Sequence, residues 1–308
     1  MPEITVVGSI NMDLVVRVAH LPLPGETVLG QDYQAIPGGK GANQAVAAAR
    51  LGANVAMIGC VGDDVFGRLL QDNLRREKVD LVGVQAVPET SSGLAMITVD
   101  ELGRNTIVVA SGANLAMTPQ QVADSMESIA DIDVLVLQLE SPMDCVLEAA
   151  RIARARGAKV VLNPAPARPL PVEIYPYIDV LIPNESETSL LTGLPVYGIG
   201  QAEAAAQALV RAGARSVVLT LGERGALVVD EGCPAIHLPA FPAQVVDTTA
   251  AGDAFVAGLA VGLAEGKSLV DAARMGNAAG AVAVTRLGAQ PAMPGREDIE
   301  RLLEGRSP

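Results

Sequence analysis

Short runs of β-branched and other apolar residues recur at 4–7, 55–58, 134–139, 160–162, 180–182 and 216–221, and they alternate with stretches of helical periodicity. Runs of this length suit strands buried on both faces. Their alternation with helices predicts an α/β fold with a mainly parallel central sheet and helices on both sides. Helix ends are readable as well. Thr118-Pro119-Gln120-Gln121 offers an N-cap, a first-turn proline and a glutamine placed for a capping box. Gly52, Gly157 and Gly213 close helical runs such as 42–51 and 202–212. Residues 14–36 and 91–110 break the rhythm: they read as strands with no helix between them, the second pair joined by the turn Asp100-Glu101-Leu102-Gly103. The expectation is one domain over 1–308, with a small β-sheet lid built from insertions at approximately 14–36 and 91–110. No solenoid repeat and no low-complexity linker interrupts it.

Composition narrows the class. Half of the 308 residues are apolar but only 2% are aromatic, so the core must be made of Ala, Val, Leu and Ile. A formal charge of −13 argues against nucleic acid or an anionic membrane as partner, although a small anion can still bind backbone amides and a bound cation. Cys60, Cys145 and Cys233 are scattered and odd in number, which offers neither a disulfide framework nor a CxxC metal knuckle and fits a reducing cytoplasm. No signal-peptide pattern precedes residues 4–8, and the longest apolar stretches, 254–264 and 278–284, are too short to span a bilayer. A soluble protein is expected.

Candidate chemistry clusters where strands end and helices begin. Asp247-Thr248-Thr249-Ala250-Ala251-Gly252-Asp253 leads into the apolar helical run 256–264. Small residues there leave backbone amides approachable, so a phosphate can sit at the helix start while Asp253 accepts a proton from a hydroxyl. The position at a helix N-terminus favours the ionised carboxylate. The plainer alternative is that Asp253 complements the helix dipole and the small residues allow close packing. Gly38-Gly39-Lys40-Gly41-Ala42-Asn43 is not a P-loop, since no Ser or Thr follows the lysine; it is either an ordinary capped loop or a place where a small polyol approaches the backbone, with Lys40 and Asn43 as polar contacts.

Three further segments are weaker. Asn11 and Asp13 follow the first strand, where ligands of open sheets bind, or they form a simple Asx turn. Asn184 and Glu187 share one face of an opening helical turn, which suits Mg²⁺ held through waters, or plain helix capping. Thr220-Leu221-Gly222-Glu223-Arg224-Gly225 reads as a turn that admits a nucleotide. His20 and His237 show no partner spacing, and neither a GxSxG elbow nor an HExxH motif occurs.

These segments occur in order, together with the tail Ala283-Val284-Thr285-Arg286-Leu287-Gly288-Ala289-Gln290-Pro291, and in combination the whole chain resembles the ribokinase-like family of carbohydrate kinases. The resemblance implies ATP-dependent phosphorylation of D-ribose at its 5-hydroxyl. Asn11, Asp13, Gly39, Lys40, Asn43 and Glu140 would hold the sugar and Asp253 would deprotonate it. Asn184, Thr220, Gly222, Gly225, Gly252 and Asn277 would line the ATP site, with Glu187 organising Mg²⁺ through water. The amides of Ala250, Ala251, Gly252 and Asp253 would form an anion hole. An activating K⁺ would sit near Asp247, Thr249, Ala283, Arg286, Gly288 and Ala292. The lid would also clasp a homodimer. The chain departs from the family at Ala250, often glycine, at Ala292, often serine, and at Asn277, where histidine also occurs.

Other acceptors, such as 2-deoxyribose, fructose or a nucleoside, stay open as substrates of the same chemistry. A non-catalytic sugar-binding protein is disfavoured by the presence of Asp253, Asn184 and Glu187. An NAD oxidoreductase is disfavoured because Gly8-Ser9-Ile10-Asn11-Met12-Asp13 replaces the GxGxxG turn.

Overall fold

The computed structural model describes residues 1–305. The chain begins β1 (Glu3–Val7), β2 (Asn11–Arg17), β3 (Tyr33–Gly38), α1 (Lys40–Arg50), β4 (Asn54–Gly62), α2 (Val65–Arg76) and β5 (Val79–Val87). It continues through β6 (Gly93–Val99), β7 (Asn105–Ala110), α3 (Pro119–Ser128), β8 (Val134–Leu137), α4 (Met143–Ala155), β9 (Lys159–Leu162) and β10 (Val180–Leu181). The last part is α5 (Glu185–Thr192), α6 (Ile199–Arg211), β11 (Ser216–Thr220), β12 (Ala226–Asp230), β13 (Ile236–Leu238), α7 (Ala251–Ala264), α8 (Leu269–Ala283) and α9 (Arg296–Leu303).

The central sheet has the order β13-β12-β11-β10-β9-β8-β1-β4-β5 and is parallel from β11 to β5, with β12 and β13 antiparallel at one edge. Alternate residues of each strand enter opposite cores. Val134, Val136 and Val161 pack with α1, α2, α7, α8 and α9, while Leu135, Leu137, Val160 and Leu162 pack with α3, α4 and α6. The shortage of aromatic rings is met by close helix contact. A Cβ on Gly258 would lie 2.9 Å from Met275 O, and one on Gly276 would lie 2.8 Å from Phe255 O, so α7 and α8 touch backbone to backbone.

A second sheet, ordered β3-β2-β6-β7, is inserted between β1 and α1 and between β5 and α3. Its central pair β2–β6 is parallel and the outer pairs are antiparallel. Residues 18–32, inside the stretch expected to be strand, are irregular: Pro22, Pro24, Gly25 and Gly30 break the ladder there. Every residue of the edge strand β7 is exposed.

Other boundaries also shift. Helix α1 starts at Lys40 and α7 at Ala251, earlier than the apolar runs suggest, because small residues continue a helix without announcing it. Thr118 caps α3 by accepting from Gln121 N at 3.2 Å, but the Gln121 side chain does not return the bond. It turns into the core and donates to Gly59 O at 3.2 Å. Among the described residues no helix is long and apolar enough to cross a membrane.

Candidate active site

The carboxyl ends of β1, β8, β9, β10 and β11 are followed by polar residues, where open α/β sheets bind ligands. Beneath them, Asp253 is buried in the first turn of α7. Its Oδ1 accepts from Gln44 Nε2 at 2.9 Å and its Oδ2 from Asn43 Nδ2 at 2.9 Å. Gln44 is held in turn, because its Oε1 accepts from Gln138 Nε2 at 2.6 Å and its Nε2 also reaches Asn163 Oδ1 at 3.3 Å. Asn163 donates to Ile182 O at 2.9 Å, which fixes the whole chain of amides to the sheet. Burial raises the Asp253 pKa, while Lys40, Asn43 and Gln44 oppose it and Glu140 adds to it. The net direction is upward, so desolvation overrides the preference for the ionised form expected of a helix start.

Ala250 precedes α7 in the left-handed region at φ 57°, and no side chain caps the helix. Of the amides expected to form the anion hole, that of Ala251 already donates to Thr248 O at 3.3 Å. Those of Gly252 and Asp253 are left to a ligand, and a Cβ on Gly252 would meet nothing within 4 Å.

The side wall comes from β2 and the start of α1. Gly39, at φ 87°, brings α1 so close to β2 that a Cβ there would stand 2.7 Å from Asn11 N. Gly38 is equally confined, since its Cβ would fall 2.2 Å from an Asp13 carboxyl oxygen. Burial, then Glu140 and Asp253, push Asp13 up to about 7 against the pull of Lys40. Burial opposes the charge on Lys40, but Asp253, Glu140, Glu187 and Asp13 outweigh it and raise the lysine pKa. Glu140 accepts from Ser9 Oγ and from Lys40 N, so the helix start and the turn after β1 fix it together. Asn43 Oδ1 is a buried acceptor with no protein partner.

Asn184 and Glu187 form a complete capping box at the start of α5: Glu187 N donates to Asn184 Oδ1 at 2.9 Å, and Asn184 N donates to Glu187 Oε2 at 2.8 Å. Glu187 Oε1 accepts from Asn184 Nδ2 at 2.9 Å. The capping alternative is therefore realised, and burial raises the Glu187 pKa although the Asn184 amide and Lys40 pull it down. Asn184 bridges Thr220 across the strand ends. Gly222 and Gly225 take φ 57° and 91° in the next turn, where a Cβ on Gly225 would lie 2.0 Å from Leu238 O. Asn277 donates to Leu238 O at 3.3 Å and Pro239 O at 3.4 Å, which ties α8 to that wall.

Asp247 binds two segments at once: its Oδ1 accepts from Thr249 N at 2.9 Å and Thr249 Oγ1 at 2.7 Å, and its Oδ2 from Gly288 N at 2.8 Å. Burial works against its charge, yet these bonds and Arg17 lower its pKa. The Arg286 guanidinium pairs with Asp298 at 2.9 Å, so only its backbone is free to face a cation. Ala283 O accepts from Arg286 N at 3.2 Å, and the buried Ala292 bonds through its own N to Ala289 O at 3.1 Å. A cleft of about 630 Å³ separates this region from the second sheet and reaches Asp13.

Sequence reasoning missed Gln44, Gln138, Asn163, Ser9 and Asn114. Gln44 directly follows Asn43 and Gln138 stands two residues before Glu140, so proximity to motif residues was the one signal available.

The pfkB carbohydrate kinase family matches residues 1–296. The chain is 44% identical to the ribokinase of Haemophilus influenzae over 98% of both chains. It is 43% identical to that of Bacillus subtilis, over 98% of this chain and all of the relative. The structure of Arabidopsis thaliana ribokinase complexed with ribose and ATP superposes with a TM-score of 0.90 at 34% identity, covering 98% of this chain and 99% of the other. This chain belongs to the pfkB family of carbohydrate kinases.

Proposed function

We propose that the chain transfers the γ-phosphoryl group of ATP to the 5-hydroxyl of D-ribose, giving ribose 5-phosphate and ADP. The observation that carries the reading is Asp253, buried and held on both oxygens by amides, in the uncapped first turn of α7. A carboxylate so placed accepts the hydroxyl proton as the oxygen attacks, while the unengaged amides of Gly252 and Asp253 receive the charge on the phosphoryl oxygens. Burial raises its pKa, which makes the carboxylate, once ionised, a stronger acceptor for the hydroxyl proton.

Asn11, Asp13, Gly39, Lys40, Asn43 and Glu140 hold the sugar. The unpaired Asn43 Oδ1 is an acceptor waiting for a hydroxyl, which fits a polyol. Asn184, Thr220, Gly222, Gly225, Gly252 and Asn277 line the nucleotide. Among the described residues no three His, Cys, Asp or Glu side chains gather as a metal cage. Mg²⁺ on phosphates asks for less, namely one or two carboxylates and its own waters, and buried Glu187 fits that demand. Bound there, Mg²⁺ neutralises phosphate charge. Asp247, kept ionised, and the backbone near Thr249, Ala283, Arg286, Gly288 and Ala292 fit a K⁺ ion that steadies the 250–253 turn. The second sheet serves as a lid, and its exposed Ile107, Val108 and Val109 make it the clasp of a homodimer. ATP as donor and three free cysteines suit a cytoplasmic enzyme.

The deciding experiment measures ADP formation with and without sugar, then kcat/KM for ribose, 2-deoxyribose, fructose and adenosine side by side. Ribose is expected to lead, and another acceptor in front would reassign the substrate. Equal rates in KCl, NaCl and a large organic chloride, with K⁺-stripped protein, would remove the K⁺ role.

A further inference from the structure

Asn114 belongs to none of the sequence motifs. It sits in the short turn Gly112–Ala116 after β7, and its side chain is buried. Its Oδ1 accepts from Ile10 N at 2.9 Å. Only the oxygen end of an amide can accept a backbone N–H, so this bond fixes which way the Asn114 amide faces. Its Nδ2 is then a donor, and it reaches Asn11 Oδ1 at 2.7 Å. That contact fixes Asn11 in the same manner, with its oxygen turned to Asn114 and its Nδ2 left without an acceptor among the described residues.

Neighbouring residues hold the relay in place. Ala113 N donates to Ser91 O at 2.9 Å and Asn114 N to Ser111 O at 3.1 Å, which anchors the turn. Gly93 makes room, since a Cβ there would lie 2.1 Å from Asn11 Oδ1 and 2.3 Å from Asn114 Nδ2. Asn11 and Asp13 are two residues apart on β2 and share one face of the strand.

We infer that Asn114 sets the hydrogen-bonding polarity of the acceptor site by holding Asn11 as a donor beside Asp13 as an acceptor. A sugar hydroxyl matches that pair, because its oxygen accepts from Asn11 while its O–H donates to Asp13. The inference rests on the reading that Asn11 and Asp13 face the sugar. Asn114 is a positioning residue: it touches neither substrate. A carboxylate at position 114 still accepts from Ile10 N but has nothing to donate to Asn11. The Asn11 amide then turns over and presents a second acceptor to a hydroxyl that has one proton.

The test compares Asn114→Asp, Asn114→Ala, Asn11→Ala and the double variant Asn11→Ala/Asn114→Asp. KM for ribose, KM for ATP, kcat and Tm are measured, with 2-deoxyribose and 3-deoxyribose as added acceptors. Asn114→Asp should raise the ribose KM about ten-fold, the scale of one lost or reversed hydrogen bond, with the ATP KM little changed. The double variant should be no worse than Asn11→Ala alone, because both changes remove one contact. One of the two deoxy sugars should be discriminated against by the wild type and not by Asn114→Asp. Where Asn114→Asp does not fold, Asn114→Ala carries the test with the same sign and a smaller rise. A wild-type ribose KM in a folded Asn114 variant, or additive losses in the double variant, overturns the relay while leaving the sugar site standing. An unchanged ribose KM in Asn11→Ala instead overturns the placement of Asn11 at the sugar, and the relay with it.

Discussion

One buried and one half-buried carboxylate, Asp253 and Asp13, act on the same lysine, yet the helical floor and the inserted sheet treat them differently. On the floor, both oxygens of Asp253 accept amide N–H groups, one from Asn43 and one from Gln44, which Gln138 and Asn163 hold in turn. On the sheet, the Asp13 carboxylate accepts no hydrogen bond among the described residues and is pressed between Gly38 and the charges of Glu140 and Asp253. Asp253 is therefore oriented before any ligand arrives. Asp13 is left for a ligand to satisfy, and in the function proposed above that couples sugar binding to its protonation.

The contrast breaks first at Asp253. Asp253→Asn should lower kcat by roughly 10²- to 10⁴-fold, the usual worth of a positioned proton acceptor, with the fold retained and ribose binding largely kept. Near-normal turnover in a variant of wild-type Tm would take the base role away from it.

Asp13→Ala should act on the other side of the comparison, raising the ribose KM by about 10- to 100-fold while the ATP KM stays close to its normal value, since hydrogen bonds to a charged group are the stronger kind. A shift in ATP KM alone would place the sugar elsewhere.

A titration sharpens the same contrast. Asp13 is pushed up to about 7 in the free protein. Sugar hydroxyls donate to its ionised form and so lower its pKa on binding. Binding near neutral pH should then release a proton, and ribose affinity should rise between about pH 6 and pH 8, flattening in Asp13→Asn. For the free protein the sign is opposite: the raised pKa contributes stability below the ordinary carboxylate range, and that contribution is lost as pH climbs through 7. Calorimetry in buffers of different ionisation enthalpy counts the proton directly, and buffer-independent heats would refute the coupling.

The smallest effect is expected at Ala250, whose φ of 57° costs an alanine about 1 kcal/mol that glycine avoids, partly offset by the looser unfolded chain of glycine. Ala250→Gly should raise Tm by no more than about 1–3 °C, read by calorimetry, with Asp253 left where it is.

Much of this was legible in the sequence, for reasons that differ by region. The parallel strands were visible because each is an apolar run bounded by turn residues, and Gly52, Gly157 and Gly213 do close helices at φ 94°, 81° and 119°. The irregular stretch 18–32 lies between two strands and its apolar residues suggest more of the same, although its prolines and glycines speak against it. Asn43 and Asp253 stood out because each lies in a contiguous motif. Gln44 and Asn114 did not, because their partners Asp253 and Ile10 are 209 and 104 positions away and only the closed fold brings them within reach. Polar residues that act on other polar residues leave no period and no spacing to read.

Lys40 is one ammonium set among the carboxylates of Asp13, Glu140, Glu187 and Asp253. With these carboxylates ionised, negative charge outweighs the single ammonium, which disfavours a bare anion beside them. An unaccompanied nucleotide, itself multiply negative, meets a barrier at this mouth that a charge-compensated one does not. The same surplus of acid that orders the lysine works as an ionic filter, deciding in what company a donor is let in.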